Sequence, residues 1–204
     1  MDANLFWDVI GKYNNQTIII QIILFIMLTI SIALSWSGKI SWIAKRTLGI
    51  IHLFIGVIFF GVYGVEPIQR YFALPLYLCC GVLLIVECFR NKNNVLEKAN
   101  RWQNSLVVLY ILYPIVSFML GNRFPTITTY IVPCPIVSLS IAVYSRYKRK
   151  NILLLMLLTV WGLTGIKSFV VNAYEDIILL ICGIYGVWLI IGEMKARKEK
   201  HIES

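Results

Sequence analysis

The residues best suited to chemistry in this sequence surround a Pro-Cys-Pro tripeptide. Pro133, Cys134 and Pro135 lie inside an apolar stretch of membrane-spanning length, and four cations follow it in residues 146–150. Proline lacks a backbone N–H and its ring clashes with the carbonyl one helical turn earlier, so two prolines at this spacing predict a broken helix. Because proline suits the first turn of a helix, we expect irregular backbone down to Cys134 and a helix that begins at Pro135.

A helix that begins inside a membrane presents unpaired N–H groups and partial positive charge. Irregular backbone is tolerated at this depth only against protein or a water-filled cavity, and transporters use such broken helices to bind substrates. The tripeptide therefore predicts either a solute-binding site or a structural kink in which Ser138, Ser140 and neighbouring helices satisfy the backbone. Both interpretations stay open.

Ionisable side chains provide the other candidate groups. Arg123 and Lys167 are isolated cations, and Lys167 lies inside an apolar segment, about one turn from its end. Ionisable residues within a membrane are candidate functional groups, although a long side chain also reaches the interface by snorkelling. Glu175 and Asp176 begin the next apolar segment, where carboxylates cap a helix N-terminus. Lys167–Asp176 and Arg123–Glu175 are therefore candidate ion pairs.

These observations define two sets of candidate residues. The positive charge of Arg123, Lys167 and the Pro135 helix start predicts a pocket for a small anionic, carbonyl-bearing or otherwise polar solute. The ligand-binding candidates are Asn122, Arg123, Cys134, Pro135 and Lys167. The structural or ion-pair candidates are Pro133, Trp161, Glu175 and Asp176.

No metal, cofactor or enzymatic activity is predicted. No His, Met or second Cys lies at ligand spacing from Cys134 along its segment, and a metal site needs several donors. The five Cys residues lie in or beside apolar segments without a CxxC pair, so they are expected to be free thiols. Metalloprotease, hydrolase and nucleotide-binding motifs are lacking. His52 and Glu87 are a candidate proton-relay pair, but contacts with lipid headgroups or a cation such as Arg90 are expected instead.

The elements that position these residues are predicted to be membrane helices. The chain has 204 residues, of which 59% are hydrophobic and 14% charged, and its mean hydropathy is +0.77. Soluble domains carry about 25% charged residues, and several apolar runs here reach the roughly 20 residues that cross a bilayer. The runs are continuous rather than alternating, which excludes a membrane barrel. The predicted fold class is an all-α, multi-span helix bundle in the lipid bilayer.

Seven spans are predicted, with a break in the fifth. They cover Thr17–Trp36, Thr47–Gly64, Tyr71–Phe89, Ser105–Leu120, Ile127–Ser145, Ile152–Val171 and Asp176–Gly192. Residues 1–16 are expected to form an extracytoplasmic segment, in which Ala3–Lys12 has the spacing of a short interfacial helix. Residues 17–192 then form the transmembrane domain, and residues 193–204 form a basic cytoplasmic tail.

The distribution of Lys and Arg predicts the orientation of the chain. Fifteen of the 19 basic residues fall in four segments, whereas Lys12, Arg70, Arg123 and Lys167 are single cations in the alternate segments. The basic segments are residues 37–46, 90–101, 146–150 and 193–204. The positive-inside rule places the N-terminus outside and the C-terminus in the cytoplasm. The same clusters predict contact with anionic lipids at the cytoplasmic face, and their position between apolar segments excludes nucleic acid as the partner.

Several short motifs resemble a known family. The matching residues are Tyr13-Asn14, Tyr113-Pro114, Gly121-x-Arg123-Phe124-Pro125, Val132-Pro133-Cys134-Pro135, Trp161 and Glu175-Asp176. This pattern resembles a family of small bacterial multi-span membrane proteins of unknown function, over most of the chain and most specifically in its second half. The chain departs from the pattern at Asn122 (family His), Ile131 (family Gly) and Ile136-Val137 (family Thr-Thr). The resemblance implies a bacterial membrane protein with an outer-side motif, and the missing His weakens a metal or proton-transfer role.

Two functional hypotheses follow. The first is binding or transport of a small solute through an outward-facing pocket at the broken fifth helix, in the bacterial cytoplasmic membrane. The alternative is a non-transporting sensor or assembly module in which the Pro-Cys-Pro break is structural. No particular oligomeric state is predicted from the sequence.

Overall fold

The computed structural model describes residues 3–90 and 94–202, with side chains described up to residue 199. In these ranges the regular structure is helical, apart from an isolated antiparallel bridge between Leu96 and Tyr147. The α-helices are α1 (Ala3–Trp36), α2 (Ile43–Phe54), α3 (Leu74–Cys88), α4 (Arg101–Met119), α5 (Pro133–Tyr144), α6 (Ile152–Leu163), α7 (Ser168–Val171) and α8 (Ile177–Ile202). A π-helical segment, Ile55–Val62, extends α2, and a second, Gln69–Ala73, precedes α3. Short 3-10 turns cover Thr164–Lys167 and Tyr174–Asp176.

Within the described ranges, six helical segments have the length and apolar composition needed to cross a membrane. They are Ala3–Trp36, Ile43–Val62, Gln69–Cys88, Arg101–Met119, Ile152–Val171 and Tyr174–Glu199. The all-helical class with multiple membrane-length helices is thereby confirmed. The count of seven spans and the orientation of the termini stay predictions.

The predicted fifth span contains the short helix α5. Its 12 residues make it about 18 Å long, whereas the hydrocarbon core of a bilayer is about 30 Å thick. All residues of α5 except Cys134 are buried, and the helix contacts α2, α4, α6 and α8. It is therefore a central helix of the bundle. A non-helical stretch, residues 120–132, precedes it and is called the connecting segment below.

The break lies at the Pro-Cys-Pro tripeptide, but α5 begins at Pro133 rather than at Pro135. Val132 is extended (φ −113°, ψ 166°) and occupies the N-cap position. The expectation of irregular backbone down to Cys134 was wrong, because the first N–H groups of a helix have no partner within the helix. Pro133 and Pro135 lack that group, so both fit the first turn. The Ile136 N–H then donates to the Val132 carbonyl at 3.3 Å.

Helix α1 is longer than the sequence indicated. The prediction was a short helix at Ala3–Lys12 and a separate span from Thr17, whereas α1 runs without interruption from Ala3 to Trp36. Tyr13, Asn14 and Thr17, the polar residues near the expected boundary, are buried. The Tyr13 and Asn14 side chains bond to the connecting segment, and the Thr17 hydroxyl bonds to the Tyr13 carbonyl. A continuous helix therefore leaves none of these three side chains without a hydrogen-bond partner.

Glycines bring α6 and α8 into backbone contact. A Cβ atom at Gly162 would lie 2.7 Å from the Cα of Gly183, and one at Gly183 would lie 2.5 Å from the carbonyl carbon of Gly162. A Cβ at Gly165 would lie 2.6 Å from the carbonyl oxygen of Asp176. These separations leave no room for a side chain. The turn that carries Lys167 is therefore held directly against the turn that carries Asp176.

Glu87 and His52, the candidate proton-relay pair, are both buried but have different surroundings. Glu87 is buried and forms an ion pair with buried Lys45 at 3.8 Å, and it accepts a hydrogen bond from the Tyr144 hydroxyl at 3.2 Å. Lys45 is thus a nearby cation of the kind expected for Glu87. His52 is also buried, and its Nδ1 lies 2.9 Å from the backbone carbonyl one turn earlier.

Candidate functional site

A cavity lies beside the start of α5. Its volume is about 120 Å³, which is room for several water molecules or a small solute. The wall is formed by the N-terminal end of α1, both π-helical segments, the start of α5, and the turns that follow α6 and precede α8. Departures from α-helical geometry therefore surround the cavity. Such π-helical turns occur frequently at functional sites.

The start of α5 forms one side of the cavity. Pro133 and Cys134 line it directly. The Pro133 carbonyl accepts a hydrogen bond from the Tyr77 hydroxyl at 2.8 Å, which fixes this helix end to α3. Asp176, which lies just before α8, lines the same cavity as Cys134. The tripeptide is thus the point where α3, α5 and the start of α8 meet.

Two adjacent carboxylates lie at the start of α8. Asp176 is 8% exposed and lines the cavity, and its Oδ1 accepts a hydrogen bond from the Tyr113 hydroxyl at 3.1 Å. Glu175 is 1% exposed, and its Oε1 accepts hydrogen bonds from the Ser117 and Thr128 hydroxyls, each at 2.7 Å. The N-terminus of a long helix favours negative charge, so α8 stabilises both carboxylates. Uncharged donors from α4 and the connecting segment complete their surroundings.

Polar side chains of α1 satisfy the backbone of the connecting segment. The Asn14 side-chain amide donates to the carbonyls of Pro125 and Ile127, each at 2.8 Å. The Tyr13 hydroxyl donates to the Ile131 carbonyl at 2.7 Å. Non-helical backbone within a membrane requires such internal partners. These bonds explain how an irregular segment is held beside the cavity.

Further bonds fix the Asn14 side chain itself. The Gln21 amide donates to the Asn14 side-chain oxygen at 3.1 Å and to the Thr17 hydroxyl at 2.9 Å. The Thr129 hydroxyl of the connecting segment donates to the Gln21 side-chain oxygen at 2.6 Å. This role of α1 was not predicted from the sequence. The available signal was a set of polar residues at intervals of three or four along an otherwise apolar helix, which places them on one face.

Two of the five predicted ligand-binding residues, Cys134 and Lys167, line the cavity. A third, Pro135, is buried in the first turn of α5. Three of the structural or ion-pair candidates also line the cavity, namely Pro133, Trp161 and Asp176. A role of any of these residues in ligand binding stays a prediction.

Asn122 and Arg123 lie outside the set of lining residues. The Asn122 amide donates to the Ser117 hydroxyl at 3.1 Å and to Glu175 Oε1 at 3.4 Å. Arg123 is exposed, and its guanidinium lies 3.9 Å from the centre of the Phe118 ring. Among the described residues, neither the Arg123–Glu175 nor the Lys167–Asp176 ion pair occurs. Uncharged hydrogen-bond donors, rather than the expected cations, bind the carboxylates of Glu175 and Asp176.

Two polar atoms of lining residues have no hydrogen-bond partner within the described part of the chain. They are the Trp161 indole nitrogen and the Ser168 hydroxyl oxygen. Buried polar groups are almost always bonded to protein or water, so the unused hydrogen-bonding capacity of these two atoms is unusual. Among the described residues, no group of three or more His, Cys, Asp or Glu side chains is arranged to hold a metal ion.

The membrane-length apolar helices of the described residues fit an all-helical, multi-pass membrane protein. A family of unknown function, DUF6064, matches residues 3–201, so the chain belongs to that family. The resemblance to a family of unknown function is thereby confirmed. No curated protein and no solved structure matches the chain.

Proposed function

We propose that the protein binds a small polar or amphipathic solute in the cavity beside α5 and carries it across the bacterial cytoplasmic membrane. The supporting observation is that one cavity is lined by both π-helical segments, by the start of α5, and by the 3-10 turns beside α6 and α8. Irregular backbone within a membrane is unfavourable unless it faces protein or a cavity. Transporters place their solute sites at such interruptions.

The ionisable groups at the cavity favour a polar or amphipathic solute over a simple anion. Lys167 supplies one positive charge at an exposed position, and Asp176 supplies one carboxylate in the buried wall. Arg123, the second cation of the sequence-based hypothesis, is not among the lining residues. Asp176 lines the cavity together with Cys134, so a carboxylate is already present beside the positive start of α5.

The alternative is a non-transporting sensor or assembly module. It is supported by the internal bonding of the break, in which Tyr77 binds the Pro133 carbonyl and Asn14 binds the connecting segment. Under this alternative the interruption serves packing alone. No solute would then change the stability of the protein through the cavity.

We further propose that the N-terminus lies outside and that the basic end of the bundle contacts anionic lipid headgroups in the cytoplasmic leaflet. The chain segments that carry most of the basic residues meet at this end, where Lys148 N donates to the Val95 carbonyl at 2.8 Å. A groove there is lined by Arg90, Arg149 and Arg197, among other residues. Its positive charge suits phosphate-bearing headgroups.

The solute-binding proposal predicts that filling the cavity abolishes the rise in melting temperature that a bound solute causes. Thr164 lines the cavity and is partly exposed, so Thr164→Phe places a ring in the cavity with little disturbance of the core. Purified protein is screened for solutes that raise its melting temperature. We expect at least one polar or amphipathic solute to stabilise the wild-type protein, because a ligand that binds only the folded state stabilises it, and to have no effect on Thr164→Phe.

The matched control is Thr29→Phe, the same substitution at an exposed position of α1. This variant should retain the solute effect. Solutes that pass this test are then assayed for uptake into proteoliposomes. Equal stabilisation of wild-type and Thr164→Phe proteins, or no stabilising solute in the screen, would favour the structural-module alternative.

A further inference from the structure

We infer that the solute of this cavity is an amphipathic primary ammonium compound. Its ammonium group binds at Asp176 and Ser168, and its apolar part packs against the aromatic side chains of the cavity. This inference rests on the proposed solute-binding function and specifies the chemical class of the solute.

The charge balance at the start of α8 favours a cation. Glu175 and Asp176 are adjacent and buried, and among the described residues neither forms an ion pair. Lys167 lines the same cavity but is exposed, and among the described residues it pairs with neither carboxylate. Two neighbouring carboxylates that are removed from water repel each other and lose solvation. A cation in the cavity offsets both effects.

Asp176, rather than Glu175, is the carboxylate that a solute can reach. Thr128 lines the cavity and donates its hydroxyl to Glu175, so Glu175 lies behind this side chain. Asp176 is itself a lining residue, and its carboxylate accepts a hydrogen bond from the Tyr113 hydroxyl. A carboxylate can accept about four hydrogen bonds. The Asp176 carboxylate can therefore accept a further hydrogen bond from an ammonium N–H.

An independent observation comes from Ser168, which also lines the cavity. Its side chain is 1% exposed, it lines the cavity, and its hydroxyl has no partner among the described residues. A hydroxyl oxygen accepts hydrogen bonds readily, so Ser168 complements an N–H donor. This requirement favours a primary ammonium, which carries three N–H groups, over a quaternary one, which carries none.

The remaining wall suits the apolar part of such a solute. Phe59, Phe60, Phe72 and Trp161 line the cavity, and the Phe60 and Trp161 rings pack edge to face at 5.4 Å. Aromatic faces attract ammonium groups and pack well against alkyl or aryl groups. Phe72 is 42% exposed and therefore lies at the edge of the cavity. An amphipathic amine can place its charged end inside and its apolar end toward this edge.

The test compares probes of equal shape and different charge. Binding of tert-butylammonium, tert-butanol and pivalate, and of benzylammonium, benzyl alcohol and benzoate, is measured by melting temperature and isothermal calorimetry on the purified full chain. We expect binding of the ammonium member of at least one set, and none of its neutral and anionic counterparts. Asp176→Asn should weaken this binding tenfold or more, because a hydrogen-bonded charge interaction is lost. The control Asp8→Asn removes an exposed carboxylate of α1 and should leave it unchanged.

Ser168→Ala provides a second test that does not depend on the folding of Asp176→Asn. It should weaken binding of the primary ammonium several-fold and leave binding of tetramethylammonium, which has no N–H, unaffected. Binding of a neutral or anionic probe that Thr164→Phe abolishes would overturn the ammonium inference and keep the solute-binding proposal. Binding of no probe, or equal ammonium binding by wild-type and Asp176→Asn proteins, would also overturn the inference. The solute-binding proposal fails separately, if the wider screen finds no solute that depends on the open cavity.

Discussion

Replacing Glu175 with alanine is expected to lower the free energy of unfolding by about 3 kcal/mol. In the native protein its Oε1 accepts hydrogen bonds from the Ser117 and Thr128 hydroxyls, each at 2.7 Å, and from the Asn122 amide at 3.4 Å. Alanine leaves these buried donors without an acceptor, and each unsatisfied buried group costs about 1–3 kcal/mol. The loss is measured by denaturant unfolding in detergent micelles, followed by tryptophan fluorescence.

Glu175→Gln is the matched variant, because glutamine keeps an oxygen at the position of Oε1 while it removes the charge. We expect this variant to lose about 1 kcal/mol or less. Glu199→Ala, at an exposed position of α8, controls for the loss of a carboxylate alone. Unfolding of Glu175→Ala at the wild-type denaturant concentration would contradict the structural role given to this carboxylate.

Replacing Asn14 with alanine is expected to cost a similar amount, about 3 kcal/mol. The side-chain amide of Asn14 donates to the carbonyls of Pro125 and Ile127, and its oxygen accepts from Gln21. The substitution leaves the carbonyls of the connecting segment without these donors, in a place where bulk water does not replace them. The same unfolding assay measures the loss, and limited proteolysis within residues 120–132 should accelerate.

Asn15→Ala is a close control for this experiment. Asn15 is the next residue of α1 and has the same side chain, but it is exposed. We expect its replacement to change stability by less than about 0.5 kcal/mol. If the two alanine variants are equally stable, α1 does not hold the connecting segment through Asn14.

The sequence predicted the membrane helices well, because continuous apolar runs of sufficient length leave few alternatives. It also located the break at Pro133 and Pro135, since proline has a definite effect on a helix. The exact start of α5 at Pro133 was missed because the first helical turn accepts both prolines equally. The π-helical segments at Ile55–Val62 and Gln69–Ala73 were not predicted, because they depend on packing between helices and have no compositional signature in this chain.

The candidate site was predicted only in part, because the residues that form it lie far apart along the chain. Cys134 and Lys167 were named because each is unusual in its own segment, and both line the cavity. Arg123 was named for its charge, but its guanidinium lies against the Phe118 ring, and Arg123 is not among the residues that line the cavity. The contact of Asn14 with Ile127 joins residues 113 positions apart, and no local pattern indicates such a pairing.

The most direct test of the solute-binding account is the accessibility of the Cys134 thiol. The other four cysteines are replaced by serine or alanine, and intact cells are treated with a small, membrane-impermeant methanethiosulfonate. The account predicts rapid labelling of Cys134 from outside, and slow labelling when Thr164→Phe fills the cavity. Absence of labelling in protein shown to be folded and inserted would mean that the cavity is closed to solutes from that side, which would contradict the account.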